Sequence, residues 1–184
     1  YSATEVKKYL AAKGRKIIGW DELLECNVDQ SATIMSWRGA EPGAQAAALG
    51  HDVIMTPNSH AYFDYYQTAN NHNEPLLIGG DLPIEKTYSF EPIPEGTPAE
   101  AGKHILGVQA NLWSEYIVSE PLAEYQVLPR MGALSEVQWM EPAQKDFKNF
   151  VKRVECLRAI YELKGYTYAK HLWPEEHLKG SREL

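Results

Sequence analysis

Four short runs of nearly continuous apolar residues, spaced by helical or irregular stretches, set the strongest limit on how this chain folds. They are RKIIGW (15–20), SATIMSW (31–37), HDVIMTP (51–57) and HILGVQANLW (104–113). Strands with one wet face alternate apolar and polar residues; runs of this kind belong in a parallel sheet covered on both faces, built from βαβ units. Two architectures satisfy the pattern. One is a small open doubly wound sheet, and the other is half of an eight-stranded (β/α) barrel. A whole barrel takes about 250 residues, so the chain's 184 residues favour the open sheet on length alone.

Helical patterns fill the spaces. YSATEVKKYLAAKG offers Ser2 or Thr4 as cap, Val6, Tyr9 and Leu10 as an apolar stripe, and Gly14 as the stop. DELLEC predicts a helical turn after the first run, and Pro42 and Gly50 bracket a short alanine-rich helix. Residues 120–140 predict a helix interrupted at Pro129. In the last helix Phe147, Phe150, Val151, Val154, Leu157, Ile160 and Tyr161 recur at helical spacing, and Gly165 ends it. Residues 58–103 show no sustained period and predict a long loop with a short helix near PIEKTY. A loop of that length is functional or disordered.

Composition narrows the function classes. With 44% hydrophobic and 23% charged residues the chain can bury the core of one domain. The net charge of −7 is spread along it, and no Lys/Arg cluster interleaves with aromatics, which argues against nucleic acid as a partner. No apolar stretch approaches the roughly 20 residues of a membrane span. Residues 1–20 carry charges where a signal peptide carries an apolar core. The two cysteines, Cys26 and Cys156, imply neither a disulfide framework nor a zinc site. The six histidines, His60 and His104 among them, lack ligand spacing and read as structural or solvent-facing. No metal or cofactor is expected, and neither glycine-rich phosphate motif occurs.

Ligands of parallel α/β folds gather at the carboxyl ends of strands. The first run ends in Trp20 with Asp21 and Glu22 behind it, and the second in Trp37 and Arg38. The third opens into NSHAYFDYYQ, which carries Tyr62, Asp64, Tyr65 and Tyr66; the fourth ends in Trp113 and Glu115. One tryptophan at a strand end is more often a rim filler than a ligand contact. Three at matched ends, accompanied by acids, favour a pocket in which ring faces meet sugar C–H groups and carboxylates accept sugar hydroxyls. This placement favours the half barrel. Arg130 and Glu136 read as an ionic anchor, Asn111 as a hydrogen-bond partner of loop backbone, and Tyr65 and Tyr66 equally well as pocket edge or loop packing.

In their order and spacing, GWDE, SWRG, AYFDYYQ and GVQANLWSE resemble the second half of the catalytic barrel of the family 20 glycoside hydrolases, the β-N-acetylhexosaminidases. LPRMGALSEVQW is similar to the helix after that barrel's last strand, and the resemblance runs from about residue 15 to 165. It implies an α/β fold of the (β/α)8 TIM type, of which residues 1–184 supply strands five to eight. It also implies a partner glycan bearing a terminal N-acetylhexosamine and hydrolysis assisted by the substrate's own acetamido group. By the same resemblance Trp20, Trp37 and Trp113 wall the sugar pocket, Tyr62 bonds the acetamido oxygen, and Asp64 and Glu115 hold hydroxyls.

The sequence departs from the family in one place that matters. The catalytic Asp-Glu pair of a His-x-Gly-Gly-Asp-Glu strand does not occur, and Asp21-Glu22 reads instead as support for the pocket or a helix cap. The family's sugar-binding arginine near the first strand is also missing, and Arg38 is not its match. The start at Tyr1, inside a helical pattern and without Met, fits a piece of a longer enzyme, inactive alone. Its half-barrel edges would favour self-association, and the family would place the parent in the periplasm, at the cell surface or outside the cell. Two other functions compete: a non-catalytic sugar-binding module with the same aromatic box, and a complete doubly wound domain with another ligand.

Overall fold

A computed structural model describes residues 2–26 and 28–173. Tyr1, Asn27, residues 174–184 and the side chain of Ser2, one of the two expected caps, lie outside the described residues. In chain order the elements are α1 (Ser2–Ala11), β1 (Ile18–Trp20), a 3-10 helix (Asp21–Cys26), β2 (Thr33–Ser36), α2 (Ala40–Ala48), β3 (Val53–Met55) and α3 (Asn58–Ala61). There follow α4 (Ile84–Tyr88), α5 (Ala99–Gly102), β4 (Ile105–Val108), α6 (Glu120–Val127), α7 (Arg130–Trp139), a 3-10 turn (Pro142–Gln144) and α8 (Phe147–Lys164). They divide into two compact units, residues 1–61 with 91–109, and residues 62–90 with 110–184.

The first unit holds the sheet. Its four strands are all parallel and lie in the order β1-β2-β3-β4, following the chain. A doubly wound sheet reverses its strand order at a switch point; this one does not, and sequential order fits a barrel. Ile34, Val53 and Met55 of the two central strands are fully buried. α2 covers them closely at Gly43, where a Cβ would lie 2.6 Å from the Met55 Sδ and 3.0 Å from the Ser36 Cβ. An irregularity between Val53 and Ile54 shifts the β3–β4 register, with Leu106 as the extra residue.

α1 forms where the periodicity places it, but Val6 and Tyr9 are 50% and 66% exposed, and Ile18 of the edge strand β1 is 58% exposed. Periodicity gives a helix an apolar face; burial requires a second face to meet it.

The second unit is helical. Tyr88 of α4 stacks on Phe150 of α8 with ring centroids 4.8 Å apart, and Ile84, Ala133 and Val154 complete that core. α6 and α7 are separate helices on either side of Pro129, and Gly165 closes α8, as the sequence predicts. Of the α8 stripe, only Ile160 is exposed. The long middle segment carries three short helices, and Leu77, Leu82, Tyr88 and Phe90 are buried. Its polar part is fastened by Glu74, whose carboxylate accepts the Tyr125 hydroxyl at 2.7 and 2.9 Å and lies 3.3 Å from His171 Nε2.

Candidate active site

Each unit carries one group of the residues singled out from sequence. In the first unit Trp20 ends β1, in register with Met35, and Trp37 follows β2 directly; both are half-buried. The wholly buried Asp21 fixes the second of them. Its Oδ2 accepts the backbone N–H groups of Trp37 and Arg38, each at 3.1 Å, and its Oδ1 accepts Arg38 Nε at 2.6 Å. Glu22 accepts the Trp37 indole N–H at 3.0 and 3.1 Å, and Glu25 accepts Arg38 Nη1 at 2.9 Å. The bonds to Glu25 and then Asp21 raise the Arg38 guanidinium above its ordinary value. Asp21 and Glu22 are therefore occupied in holding Trp37 and Arg38.

In the second unit, two stretches far apart in sequence zip together. Tyr62 and Asn111 form an isolated parallel bridge, and the Phe63 N–H donates to the Asn111 carbonyl at 2.7 Å. β4 stops at Val108, so Trp113 stands on the segment beyond the strand rather than at its end, and the bridge at Asn111 anchors that segment. Trp113 meets Tyr62 edge to face at 6.3 Å between centroids. The Trp113 indole and the Asn111 side chain both hydrogen-bond the Tyr62 hydroxyl. Asn111 thus reaches a site side chain as well as backbone, a role that reading residues singly missed. The missed signal was spacing: in extended chain, residues two apart share a side, which puts Asn111 with Trp113.

Tyr62 is 9% exposed, and burial raises its hydroxyl above the ordinary phenol range; the hydrogen bond from Trp113 opposes the rise, and the charge of Asp64 adds to it. The phenol therefore keeps its proton at any working pH.

Asp64 lies in the turn that Tyr65 N–H closes onto the Tyr62 carbonyl. Its carboxyl is raised first by burial; its own backbone N–H lowers it, Glu115 raises it, and Arg130 and the Trp113 N–H lower it. Glu115 itself is exposed. Oδ1 of Asp64 is buried and takes no hydrogen bond among the described residues. Replacing Glu115 by Gln removes a repulsion, so the Asp64 carboxyl should titrate at lower pH; carbon-13 NMR of that carboxyl is the check, and an unmoved titration contradicts the proximity.

Tyr65 and Tyr66 separate. Tyr65 packs edge-on to Tyr62 at 5.6 Å, whereas the Tyr66 hydroxyl accepts the Leu77 N–H at 3.2 Å and its backbone pairs with Gly80 and Leu82. Gly80 has φ +69°, and a Cβ there would sit 2.7 Å from the Tyr65 ring. Gly80→Ala should destabilise the protein by about 1–3 kcal/mol in chemical denaturation, while displacing the ring that backs Tyr62.

Arg130 and Glu136 are not partners. Glu136 pairs with Arg153 at 2.6 Å, and Arg130 is buried against main-chain carbonyls. His104 lies 3.4 Å from Asp52, and His60 meets Ser59 at 2.8 Å. No cluster of three or more metal-ligating side chains occurs among the described residues, and no helix there is long and apolar enough to cross a membrane.

The model of the glycosyl hydrolase family 20 catalytic domain matches residues 1–142. The chain belongs to that family. A beta-hexosaminidase of Porphyromonas gingivalis is 41% identical over 185 residues, taking in 100% of this family 20 chain and 23% of that protein. A beta-N-acetylhexosaminidase of Cellulomonas fimi is 29% identical over 91% of the chain and 34% of its own length. The chain thus spans well under half of either relative. Among solved structures, the GH20 exo beta-N-acetylglucosaminidase of Vibrio harveyi in complex with N-acetylglucosamine aligns with a TM-score of 0.81 at 30% identity, over 91% of this chain and 26% of that one. The parallel sheet in sequential order fits this TIM-barrel family.

Proposed function

We propose that residues 1–184 are the second half, strands five to eight, of the catalytic barrel of a retaining exo-β-N-acetylhexosaminidase. The parent enzyme removes terminal β-linked N-acetylglucosamine or N-acetylgalactosamine. The observation that carries this reading is the buried Tyr62 hydroxyl, held by Trp113 and Asn111 near Asp64, whose buried Oδ1 takes no hydrogen bond among the described residues. That pair suits a sugar with an acetamido carbonyl to accept one bond and a hydroxyl to donate another. Trp20, Trp37 and Trp113 take the wall roles implied by the resemblance, and Glu115 holds a second hydroxyl.

The chemistry follows from placing an amide oxygen at Tyr62. The acetamido oxygen attacks the anomeric carbon, the glycosidic bond breaks, and its electron pair leaves with the departing oxygen. Tyr62 orients the attacking oxygen and holds the reacting atoms near attack distance. Water then opens the ring, giving retention. The proton for the leaving group comes from an acid outside this chain, whose own acids Asp21 and Glu22 are committed to Trp37 and Arg38. The exposed Val6, Tyr9 and Ile18 support the half-barrel reading, because the remaining βα units would cover them; in the isolated chain the same residues favour self-association.

The test is hydrolysis of 4-nitrophenyl N-acetyl-β-D-glucosaminide by the full-length protein, with the first-formed anomer read by proton NMR. The β-anomer is expected. The α-anomer overturns substrate assistance, and binding without turnover favours a non-catalytic sugar module.

A further inference from the structure

Arg130, the first residue of α7, is fully buried, yet no carboxylate lies within ion-pair distance of it among the described residues. Its five N–H groups are all spent on neutral oxygens. Nη2 donates to the Phe63 carbonyl at 2.6 Å, Nη1 to those of Tyr65 and Leu82 at 3.2 and 3.1 Å, and Nε to that of Gln126 at 3.1 Å. Nη2 also meets the Gln126 side chain at 3.2 Å, and the guanidinium lies 4.8 Å from the Phe63 ring centroid. Burying a full charge among neutral acceptors is costly, and where only shape is needed an apolar side chain of similar volume does as well. The charge therefore calls for a reason beyond packing.

The carbonyls it grips supply one. Phe63 and Tyr65 flank Asp64 on either side, so the guanidinium sets the turn that aims this carboxylate. Burial lowers Arg130 to about 9, and of the groups that oppose this the Asp64 carboxylate acts most strongly. The influence is mutual, since Arg130 lowers the Asp64 carboxyl while Glu115 raises it. In a dry setting a positive charge acts over longer range than in water. We infer that Arg130 is a positioning residue of the sugar site that acts through Asp64, fixing the backbone around it and supplying the buried positive charge that keeps it an anionic hydroxyl acceptor. This rests on the sugar-binding role proposed for Asp64.

The experiment compares the full-length wild type with Arg130→Met, Arg130→Lys, Asp64→Asn and the double variants. In Arg130→Met the Asp64 carboxyl, followed by carbon-13 NMR, should titrate at higher pH than in wild type, and the acidic limb of kcat/KM should move up with it. Arg130→Lys keeps the charge but not the fork of donors, so kcat/KM should fall roughly 10-fold with the acidic limb in place. Adding either Arg130 change to Asp64→Asn should cost less than about twofold more. An unmoved Asp64 titration in Arg130→Met, or losses that multiply in the double variants, would overturn the inference. If Arg130→Met does not fold, the cycle with Arg130→Lys decides by the same criterion. A wild type inactive on the aryl glycoside refutes the hexosaminidase reading instead, and the NMR titration still judges Arg130.

Discussion

Tyr62→Phe in the full-length enzyme should lower kcat for an aryl N-acetyl-β-D-glucosaminide by about 10²- to 10³-fold, roughly 2–4 kcal/mol, the cost of one preorganised donor. The ring itself stays, with its edge contacts to Tyr65 and Trp113, so packing is conserved and the loss falls on the hydroxyl. Burial and the hydrogen bonds with Trp113 and Asn111 hold the hydroxyl in one place, so it aims the acetamido oxygen at the anomeric carbon without reorganising. Since the hydroxyl fixes the nucleophilic oxygen at attack distance, its loss should lower kcat more than it raises KM. Steady-state kinetics decide it, and an unchanged kcat removes Tyr62 from the mechanism.

Asp21→Ala should destabilise the protein by about 1–3 kcal/mol, because two part-buried backbone N–H groups lose their acceptor. The share of Arg38 is smaller. Its side chain is 40% exposed, and water takes up the guanidinium when the carboxylate is gone. Asp21→Asn keeps one acceptor oxygen and should lose less. Denaturant unfolding measures both. Equal stability of Asp21→Ala and wild type would mean that these three bonds do not hold the turn at Trp37.

Much of this was legible in the sequence where a single local rule governs the outcome. Near-continuous apolar runs gave a parallel sheet, Pro129 separated α6 from α7, and Gly165 closed α8. The family was legible because GWDE, SWRG, AYFDYYQ and GVQANLWSE keep their order. Strand order was not, since no residue pattern records which strand lies next to which. α1 shows the limit of periodicity: the stripe of Val6 and Tyr9 forms as expected and remains exposed because no apolar face meets it.

The candidate site divides in the same way. Acids and aromatics mark themselves by type, so Tyr62, Asp64 and Trp113 stood out. Their supports did not. Gly80 matters only because it comes back against the Tyr65 ring, and Arg130 only because a helix far along the chain returns it beneath the carbonyls of Phe63 and Tyr65. The pairing of Arg130 with Glu136 failed because six residues along a helix do not share a face, and Glu136 finds Arg153 on α8 instead.

The central claim is that Tyr62, Asp64 and Glu115 receive a terminal N-acetylhexosamine. A crystal structure of the full-length protein with N-acetylglucosamine tests it most directly. The claim predicts the acetamido oxygen at roughly 3 Å from the Tyr62 hydroxyl, with ring hydroxyls on Asp64 Oδ1 and on Glu115. A sugar bound elsewhere, or bound with its acetamido group turned away from Tyr62, would contradict it.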